Sequence, residues 1–356
     1  MSGTPETVPG FLAAEAFFHE LRATAQSLAR RYVVFLVDHA RSSRSTHKFW
    51  WNHFEEACQA LAIPCWRVPR ASEAWPQAHR REGRRGVYLF FTTESLFHDR
   101  SRRFRAVRDD TLRPEDVVAS WDPNVVPAFT RCHRFLIGFR NEGWLSTYGA
   151  GHAAPIVFWD PFAPLTAVQR GMMGTSDEQG AWDFAYFGTL NPHNYDQFER
   201  ILRPLAARHH CRFGGKLWRV ASPVPLWYGF SPFLVGEPRG LEILARGRVN
   251  LALHNDYHRK TRTLTERIFI STALGRPIVC DNAGARQYFT PAEVPVGEDP
   301  ETFLALCEDV LRDVRAHQEI ARALQKKVWR QFSYLNTVVQ LLTDIDTTLS
   351  SGRVTS

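Results

Sequence analysis

The chain of 356 residues has no apolar run approaching the roughly eighteen residues that a membrane-spanning helix needs. Its N-terminus has no basic segment followed by an apolar one, so we expect no signal peptide and a cytoplasmic protein. The six cysteines are scattered and include no Cys-x-x-Cys pair. This spacing favours buried thiols in a reducing compartment over a disulfide framework.

Two kinds of site also lack their sequence signatures. There is no Gly-x-Gly-x-x-Gly motif, which disfavours a dinucleotide cofactor and with it a dehydrogenase. No spacing of histidines and cysteines suggests a metal site, since His209 and His210 are adjacent and would point apart on a helix. We therefore predict neither a metal nor a bound cofactor.

Acidic residues are fewer than basic ones, at 37 Asp and Glu against 44 Lys and Arg, for a formal charge of +7. The excess leans toward residues 1–155, which carry 21 basic and 16 acidic residues. Arginine dominates, and it suits bidentate contact with phosphate. The arginine-rich runs at 41–48, 80–85 and 98–108 are solvated faces by default. Contact with an anionic acceptor is the functional alternative.

Apolar runs alternate with amphipathic segments along the chain, which predicts an α/β protein. Its length favours two domains. In the first half we predict helices at 11–30 and 49–61, and strands at 32–37, 63–68, 87–91, 117–121, 135–139 and 156–159. This order of strands and helices resembles a Rossmann-like domain.

The Pro-rich turn from Asp160 to Pro164 marks the predicted end of the first domain, at residues 1–160. We interpret 161–182 as a linker, because 165–182 is rich in Gly, Met and polar residues. A second domain follows at 183–330, opened by an apolar strand that runs into Gly188 and Thr189. Its other predicted elements are helices at 195–207, 241–246, 301–312 and 316–329, with an irregular loop at 211–235. Residues 331–356 form a C-terminal helix.

The stretch Val249–Phe289 contains the clearest motif of the second domain. An apolar strand, 249–253, ends at His254, and a basic loop, 255–263, follows. A helix at 264–274 then leads to a second strand, 277–280, that ends at Asp281. This is a βαβ unit, and its ligand-binding edge lies beyond the carboxyl ends of the strands.

The start of that helix has a bias toward anions. Thr263 and Glu266 fit a capping box, with Thr263 as the N-cap. Helix N-termini attract phosphate, and Arg259 and Arg262 stand just before this one. A diphosphate can bind there, with Glu266 accepting hydrogen bonds from a ribose. The simpler alternative is that Glu266 only caps the helix and pairs with Arg262.

The same stretch resembles the nucleotide-sugar half of GT-B glycosyltransferases, nearest the CgeB-like group. The helix of that pattern reads T-x-R-x-F-E-x-x-A-x-G, which Thr265, Arg267, Phe269, Ala273 and Gly275 match. Ile270 stands where the pattern has Glu, and Glu266 lies one turn earlier on the same face. Upstream, Asp160-Pro161 and Phe187-Gly188-Thr189-Leu190 match the linker and strand that open the family's second domain.

The resemblance implies two Rossmann-like domains that face each other across a cleft, with the C-terminal helix crossing back to the first. The first domain would bind the acceptor and the second a nucleotide sugar, with a UDP-sugar the expected donor. Transfer would be metal-independent, by a hexosyl- or pentosyltransferase. The nucleotide-sugar ligands predicted from the residues and the resemblance are Gly188, Thr189, Asn191, His254, Arg259, Arg262, Thr265, Glu266, Arg267 and Gly284.

Three carboxylates of the first domain are candidates for the base that deprotonates the acceptor: Asp38, Glu94 and Asp122. Each follows an apolar run and would lie near the carboxyl end of a strand, although each also suits a turn. Asp38 ends the clearest strand. The expected acceptor carries a hydroxyl, on a glycan, a lipid or a modified base in DNA. A catalytically degenerate GT-B protein that binds nucleic acid is the alternative.

Overall fold

The computed structural model describes residues 16–37, 47–68, 83–90, 107, 109–149, 153–174, 180–190, 195–215, 230–231 and 237–352. The chain divides into two compact units. The first comprises Met1–Arg140, Tyr148–Asp160 and Tyr334–Ser356, and the second comprises Asn141–Thr147 and Pro161–Ser333. The predicted linker therefore lies in the second unit, and the C-terminal helix belongs to the first.

The first unit is built on a six-stranded sheet in the order β2-β1-β3-β4-β5-β6, in which every neighbouring pair is parallel. Its strands are β1 Tyr32–Val37, β2 Cys65–Val68, β3 Arg85–Phe90, β4 Val117–Ser120, β5 His133–Gly138 and β6 Ile156–Phe158. Every residue of β1 is buried, as expected for a parallel strand covered on both faces. The topological switch point of this sheet lies between β1 and β3, because β2 is added on one side of β1 and β3 on the other. Val37 and Phe90 are register partners there.

Among the described residues, three α-helices belong to the first unit: Ala16–Arg31, His47–Ala60 and Tyr334–Ser350. The last one is anchored to the sheet, because the hydroxyl of Thr337 donates to the carbonyl of Asp160 at 2.9 Å. Tyr32 of β1 donates its hydroxyl to Asp346 of the same helix at 2.8 Å. Burial and this carboxylate raise the pKa of Tyr32 above its usual range. Short 3-10 turns occur at Asp109–Thr111 and Val126–Ala128.

The second unit contains a five-stranded sheet in the order β11-β10-β7-β8-β9, again parallel throughout. Its strands are β7 Trp182–Phe187, β8 Cys211–Gly214, β9 Phe230–Ser231, β10 Gly247–Ala252 and β11 Ile278–Cys280. Its longer helices are Leu165–Met172, Glu237–Ala245, Asp256–Thr261, Glu266–Ala273, Pro300–Arg312 and Val314–Gln331. Residues 195–208 form a continuous helix with a π turn at Phe198–Leu202, and Ala283–Gln287 is a 3-10 turn. A short helical segment, Glu142–Trp144, continues into a π turn at Leu145–Gly149.

The predicted α/β class with two Rossmann-like parallel sheets is confirmed, but three local predictions are wrong. The segment 165–182 is not a plain linker, because Leu165–Met172 is a helix with a buried apolar face. The predicted loop 211–235 contains β8 and β9. The basic loop 255–263 contains the helix Asp256–Thr261. Each of these elements is short, so its own periodicity is weak and packing decides it.

No helix in the described ranges is long and apolar enough to cross a membrane.

The buried carboxylate of Asp116 stabilises the first sheet by hydrogen bonds, and a substitution at this position tests that role. The carboxylate is fully buried and accepts the backbone N–H groups of Gly86 and Arg113, each at 2.8 Å. We expect Asp116→Ala to lower the free energy of unfolding by about 2 to 4 kcal/mol, because both donors lose their acceptor. The neighbour Glu115, which is only partly buried, is the control, and Glu115→Ala should change stability by less than about 0.5 kcal/mol. Equal losses for the two variants in urea denaturation would contradict this role.

Candidate functional site

The second sheet has its topological switch point between β7 and β10. From β7 the chain runs outward through β8 and β9. It then returns to form β10, which pairs with β7 on its other side, and β11 lies at that edge of the sheet. In open parallel sheets, ligands bind in the crevice at such a point, beyond the carboxyl ends of the strands. Here those ends lead into Gly188 after β7, and into Leu253 and His254 after β10.

Arg267, from the first turn of helix Glu266–Ala273, spans this crevice. Its Nε donates to the carbonyl of Phe187 at 2.6 Å, and its Nη1 donates to the carbonyl of Leu253 at 2.7 Å. The guanidinium also lies over the ring of Tyr186, 4.9 Å from the centroid. No carboxylate of the described residues pairs with it. A positive charge is therefore held at the switch point by two main-chain oxygens and the ring of Tyr186.

Gly188 leaves room for the remaining guanidinium nitrogen of Arg267. A Cβ at this glycine would lie 2.4 Å from Nη2 of Arg267 and 2.6 Å from the hydroxyl of Tyr186. Any larger residue would therefore push the guanidinium out of place. The amide of Gly188 donates to the carbonyl of Gly214 at 3.0 Å, so this N–H serves the chain and not a ligand.

His254 and Asp281 form a buried pair at the ends of β10 and β11. The Nδ1–H of His254 donates to Oδ1 of Asp281 at 2.7 Å, and the amide of His254 donates to Oδ2 at 3.0 Å. Nε2 accepts the backbone N–H of Thr265 at 3.2 Å. Gln197 also donates, to Oδ2 of Asp281 at 3.0 Å. Both ring nitrogens of His254 are thus occupied, which ties the two strand ends to the start of helix Glu266–Ala273.

The ligand atoms of His254, Cys280 and Asp281 lie within 4.8 Å of one another, a spacing compatible with a metal ion. Their donors are already committed, however. The thiol of Cys280 lies 3.6 Å from the carbonyl of Asn282, and burial raises its pKa above the usual range. The chemistry of this cluster fits a network of mutual hydrogen bonds better than a coordination sphere, which would need deprotonated ligands.

Asn282, in the loop after β11, is hydrogen bonded to the segment from His258 to Thr263. Its Nδ2 donates to the carbonyls of His258 at 3.1 Å and Thr263 at 2.9 Å, and its Oδ1 accepts the amide of Gly284 at 2.9 Å. A Cβ at Gly284 would lie 2.0 Å from the carbonyl oxygen of Arg262. The two backbones can approach this closely only because residue 284 is glycine.

The segment Asn141–Thr147 reinforces the same turn. Nδ2 of Asn141 donates to the hydroxyl of Thr263 at 3.3 Å, and that hydroxyl also lies 2.9 Å from the hydroxyl of Thr261. A Cβ at Gly143 would lie 2.4 Å from the carbonyl oxygen of Thr261. The capping box predicted with Thr263 as N-cap is therefore wrong. The hydroxyl of Thr263 serves this turn, and the N-cap is Thr265.

The basic residues before the helix differ in what they contact. Arg262 adopts a left-handed backbone, with φ of 54° and ψ of 25°, and ends helix Asp256–Thr261. Its exposed side chain makes no ion pair with any described residue. Arg259 pairs with Asp256 one turn earlier. Glu266 occupies the first turn of the next helix and is partly exposed. Arg262 and Arg267 are therefore two cations near this helix start that have no carboxylate partner among the described residues.

The remaining predicted site residues are Thr189, Asn191, Asp38, Glu94 and Asp122. Asn191, Asp38 and Glu94 fall outside the described residues, although Asp38 directly follows Val37 of β1. Asp122 follows β4 and forms a turn, in which its Oδ1 accepts the amide of Asn124 at 2.9 Å. Thr189 follows Gly188 at the carboxyl end of β7.

Three residues of the site were missed in the sequence. Gln197 and Asn282 supply the amide side chains that bind the strand ends and the turn. His258 lies beside His254, with ring centroids 6.2 Å apart. Burial, with contributions from His254 and Arg267, lowers the pKa of His258 to about 4. Only the position of Asn282, directly after the Asp that ends a strand, was a signal in the sequence.

The role of His254 in joining the strand ends can be tested by its removal. His254→Ala would leave the buried carboxylate of Asp281 without its ring donor and the amide of Thr265 without its acceptor. We expect the free energy of unfolding to fall by about 2 to 4 kcal/mol. Chemical denaturation would measure this, with His317→Ala on helix Val314–Gln331 as the control. A stable His254→Ala protein would contradict the structural role.

A family profile described as glycosyl transferase-like matches residues 196–343, which contain β8 to β11 and most of the site. No curated protein sequence matches the chain.

Solved structures of glycosyltransferases match nearly the whole chain. A DNA-modifying β-glucosyltransferase aligns with a TM-score of 0.56 at 7% identity, over 90% of this chain and 99% of its own. HepE from Anabaena, solved with UDP and glucose, gives 0.53 at 13%, over 90% and 100%. AviGT4, from avilamycin A biosynthesis, gives 0.50 at 14%, over 90% and 98%. The chain thus has the GT-B fold, with a glycosyl transferase-like region in its second half.

Proposed function

We propose that the protein is a glycosyltransferase that moves a hexosyl or pentosyl group from a nucleotide sugar to an acceptor hydroxyl. One observation carries this proposal: the guanidinium of Arg267 lies at the switch point of the second sheet, without a carboxylate partner among the described residues. Such a charge favours a ligand that brings negative charge to this crevice. A nucleoside diphosphate does so, and the glycosyl transferase-like region contains the crevice.

UDP is the nucleotide that we propose, since HepE was solved with UDP and glucose. Its diphosphate would lie between Arg267 and the exposed Arg262, at the N-terminus of helix Glu266–Ala273. That terminus adds the partial positive charge of its helix dipole. Glu266, in the first turn, would accept hydrogen bonds from the ribose. Ile270 cannot do so, because its side chain is apolar and packs against the core of this unit.

The other predicted residues divide into two groups. Thr189, at the carboxyl end of β7, Thr265, the N-cap of helix Glu266–Ala273, and Asn191 would contact the donor. His254, Gly188 and Gly284 would act by position, because their nitrogens already hydrogen bond within the protein and the glycines permit close packing. Arg259, paired with Asp256, would contribute long-range charge.

The leaving group of the transfer is a nucleoside diphosphate, whose negative charge grows as the glycosidic bond breaks. Two guanidinium groups and a helix N-terminus would stabilise that charge in place of a divalent metal. Deprotonation of the acceptor hydroxyl falls to the first unit, where Asp38, Glu94 and Asp122 are the candidates. Because Oδ1 of Asp122 forms a turn, Asp38 remains our first choice.

The acceptor that we propose is anionic. The positive excess in residues 1–155 favours such a partner, and one structure of the same fold is a DNA-modifying β-glucosyltransferase. A hydroxyl on a modified DNA base, reached in the cytoplasm, would fit both observations. We also propose that the chain is nearest the CgeB-like group, because its helix matches that pattern from Thr265 to Gly275.

Binding of UDP tests the donor site directly. We expect UDP to raise the melting temperature of the wild-type protein and Arg262→Ala to weaken its binding by tenfold or more, about 1.4 kcal/mol. Arg239→Ala removes another exposed arginine, whose ion pair in the described part of the chain is with Glu242 on its own helix, and should leave binding unchanged. If calorimetry showed equal affinity for all three proteins, the diphosphate would not lie at Arg262.

The metal-independent mechanism makes a separate prediction. We expect the release of UDP from a UDP-sugar in the presence of acceptor, or its slow hydrolysis without one, to be unchanged by EDTA. The measurement is the initial rate with EDTA and with added Mg²⁺ or Mn²⁺. A rate that EDTA abolishes and the metal restores would overturn this mechanism. Salt-sensitive DNA binding without any response to nucleotides would instead support the degenerate, nucleic-acid-binding alternative.

A further inference from the structure

His258 is a polar side chain at the switch point that the proposed donor site has not used. It belongs to helix Asp256–Thr261, between the end of β10 and the helix that carries Arg267. Its ring meets that of His254 nearly edge-on, at 83° and 6.2 Å between centroids. Arg267 is close enough to lower its pKa electrostatically. The ring therefore lies beside that of His254, which follows the carboxyl end of β10.

Both the amide and the carbonyl of His258 are hydrogen bonded. Its amide donates to the side chain of Asn255 at 2.9 Å, which caps the helix. Its carbonyl accepts Nδ2 of Asn282 at 3.1 Å and the amide of Thr263 at 2.9 Å. With the backbone fixed at three points, the imidazole has little freedom beyond its own side-chain rotations. Such a group can discriminate between ligands because binding costs it little ordering.

The ring nitrogens of His258 remain available, unlike those of His254. Neither makes a hydrogen bond to any residue that the structure describes. The ring is partly buried, yet its nitrogens are not among the buried polar atoms that lack a partner. A partly buried imidazole whose nitrogens make no hydrogen bond to described residues is suited to hydrogen bond with a ligand at the switch point.

The charge state of His258 indicates the chemistry of its partner. With a pKa of about 4, because of burial and the nearby His254 and Arg267, the ring is neutral at physiological pH. A neutral imidazole has one donor and one acceptor nitrogen, whereas phosphate oxygens only accept. A sugar hydroxyl both donates and accepts, so it satisfies either nitrogen.

We propose that His258 recognises a ring hydroxyl of the bound nucleotide sugar, either on the ribose or on the transferred sugar. This inference rests on the proposed function and deepens it. Arg262 and Arg267 would hold the anionic part of the donor, and the neutral imidazole would read a hydroxyl beside it. Affinity would come mainly from the charges and sugar specificity from His258.

The test measures binding by calorimetry, with UDP, 2′,3′-dideoxy-UDP and UDP-glucose as the probes. His258→Phe keeps a planar ring but removes both nitrogens, and His258→Gln keeps a donor and an acceptor. The control is His317→Phe, a partly buried histidine on helix Val314–Gln331. Melting temperatures of all variants would show that they are folded. We expect His258→Phe to weaken binding about five- to tenfold and His258→Gln to restore most of the loss.

The probes separate the two sources of the hydroxyl. If His258 contacts the ribose, His258→Phe weakens the binding of UDP and of UDP-glucose alike but leaves the binding of 2′,3′-dideoxy-UDP unchanged. If it contacts the transferred sugar, only the binding of UDP-glucose is weakened. Equal weakening of UDP and 2′,3′-dideoxy-UDP would place the ring on phosphate or base and overturn the inference, as would unchanged binding of all three. Wild-type protein that binds neither UDP nor UDP-glucose would overturn the proposed function as well.

Discussion

The second unit depends on a charge that no carboxylate of the described residues neutralises. The guanidinium of Arg267 ties the carbonyls at the ends of β7 and β10 together. Main-chain oxygens satisfy its geometry but carry no full negative charge. The sheet therefore has an electrostatic preference for an anion at the place where its topology opens a crevice. Arg267 therefore links two strand ends of the fold and would also bind the anionic donor.

The structure around Arg267 keeps that crevice in shape. The buried pair of His254 and Asp281 links the ends of β10 and β11 to the first amide of the neighbouring helix. Asn282 fastens the turn before that helix, and Gly284 permits its backbone to approach. A binding site held by buried hydrogen bonds needs little reorganisation when charge develops on a leaving group, which is the usual source of electrostatic catalysis.

Most strands of the two sheets coincide with apolar runs of the sequence, which were enough to predict them. The fully buried β1 was predicted with its observed bounds, and β10 and β11 within a few residues. The short elements were missed because their stability comes from packing. Helix Leu165–Met172 exists where Gly171 lies against the carbonyl of Ala273, a contact between segments about a hundred residues apart. No local pattern encodes a contact of that kind.

The sequence by itself determined the α/β class, the order of strands and helices, and the stretch in which a donor site should lie, because periodicity and strand ends are local properties. Only the tertiary structure decided what each side chain in that stretch does. His254 was the conspicuous histidine, yet packing occupies both of its ring nitrogens. His258, four residues later, packs edge-on against His254, and its ring nitrogens make no hydrogen bond to any described residue. Hydrogen-bond partners are assigned by three-dimensional proximity, and residue spacing along the chain does not contain that information.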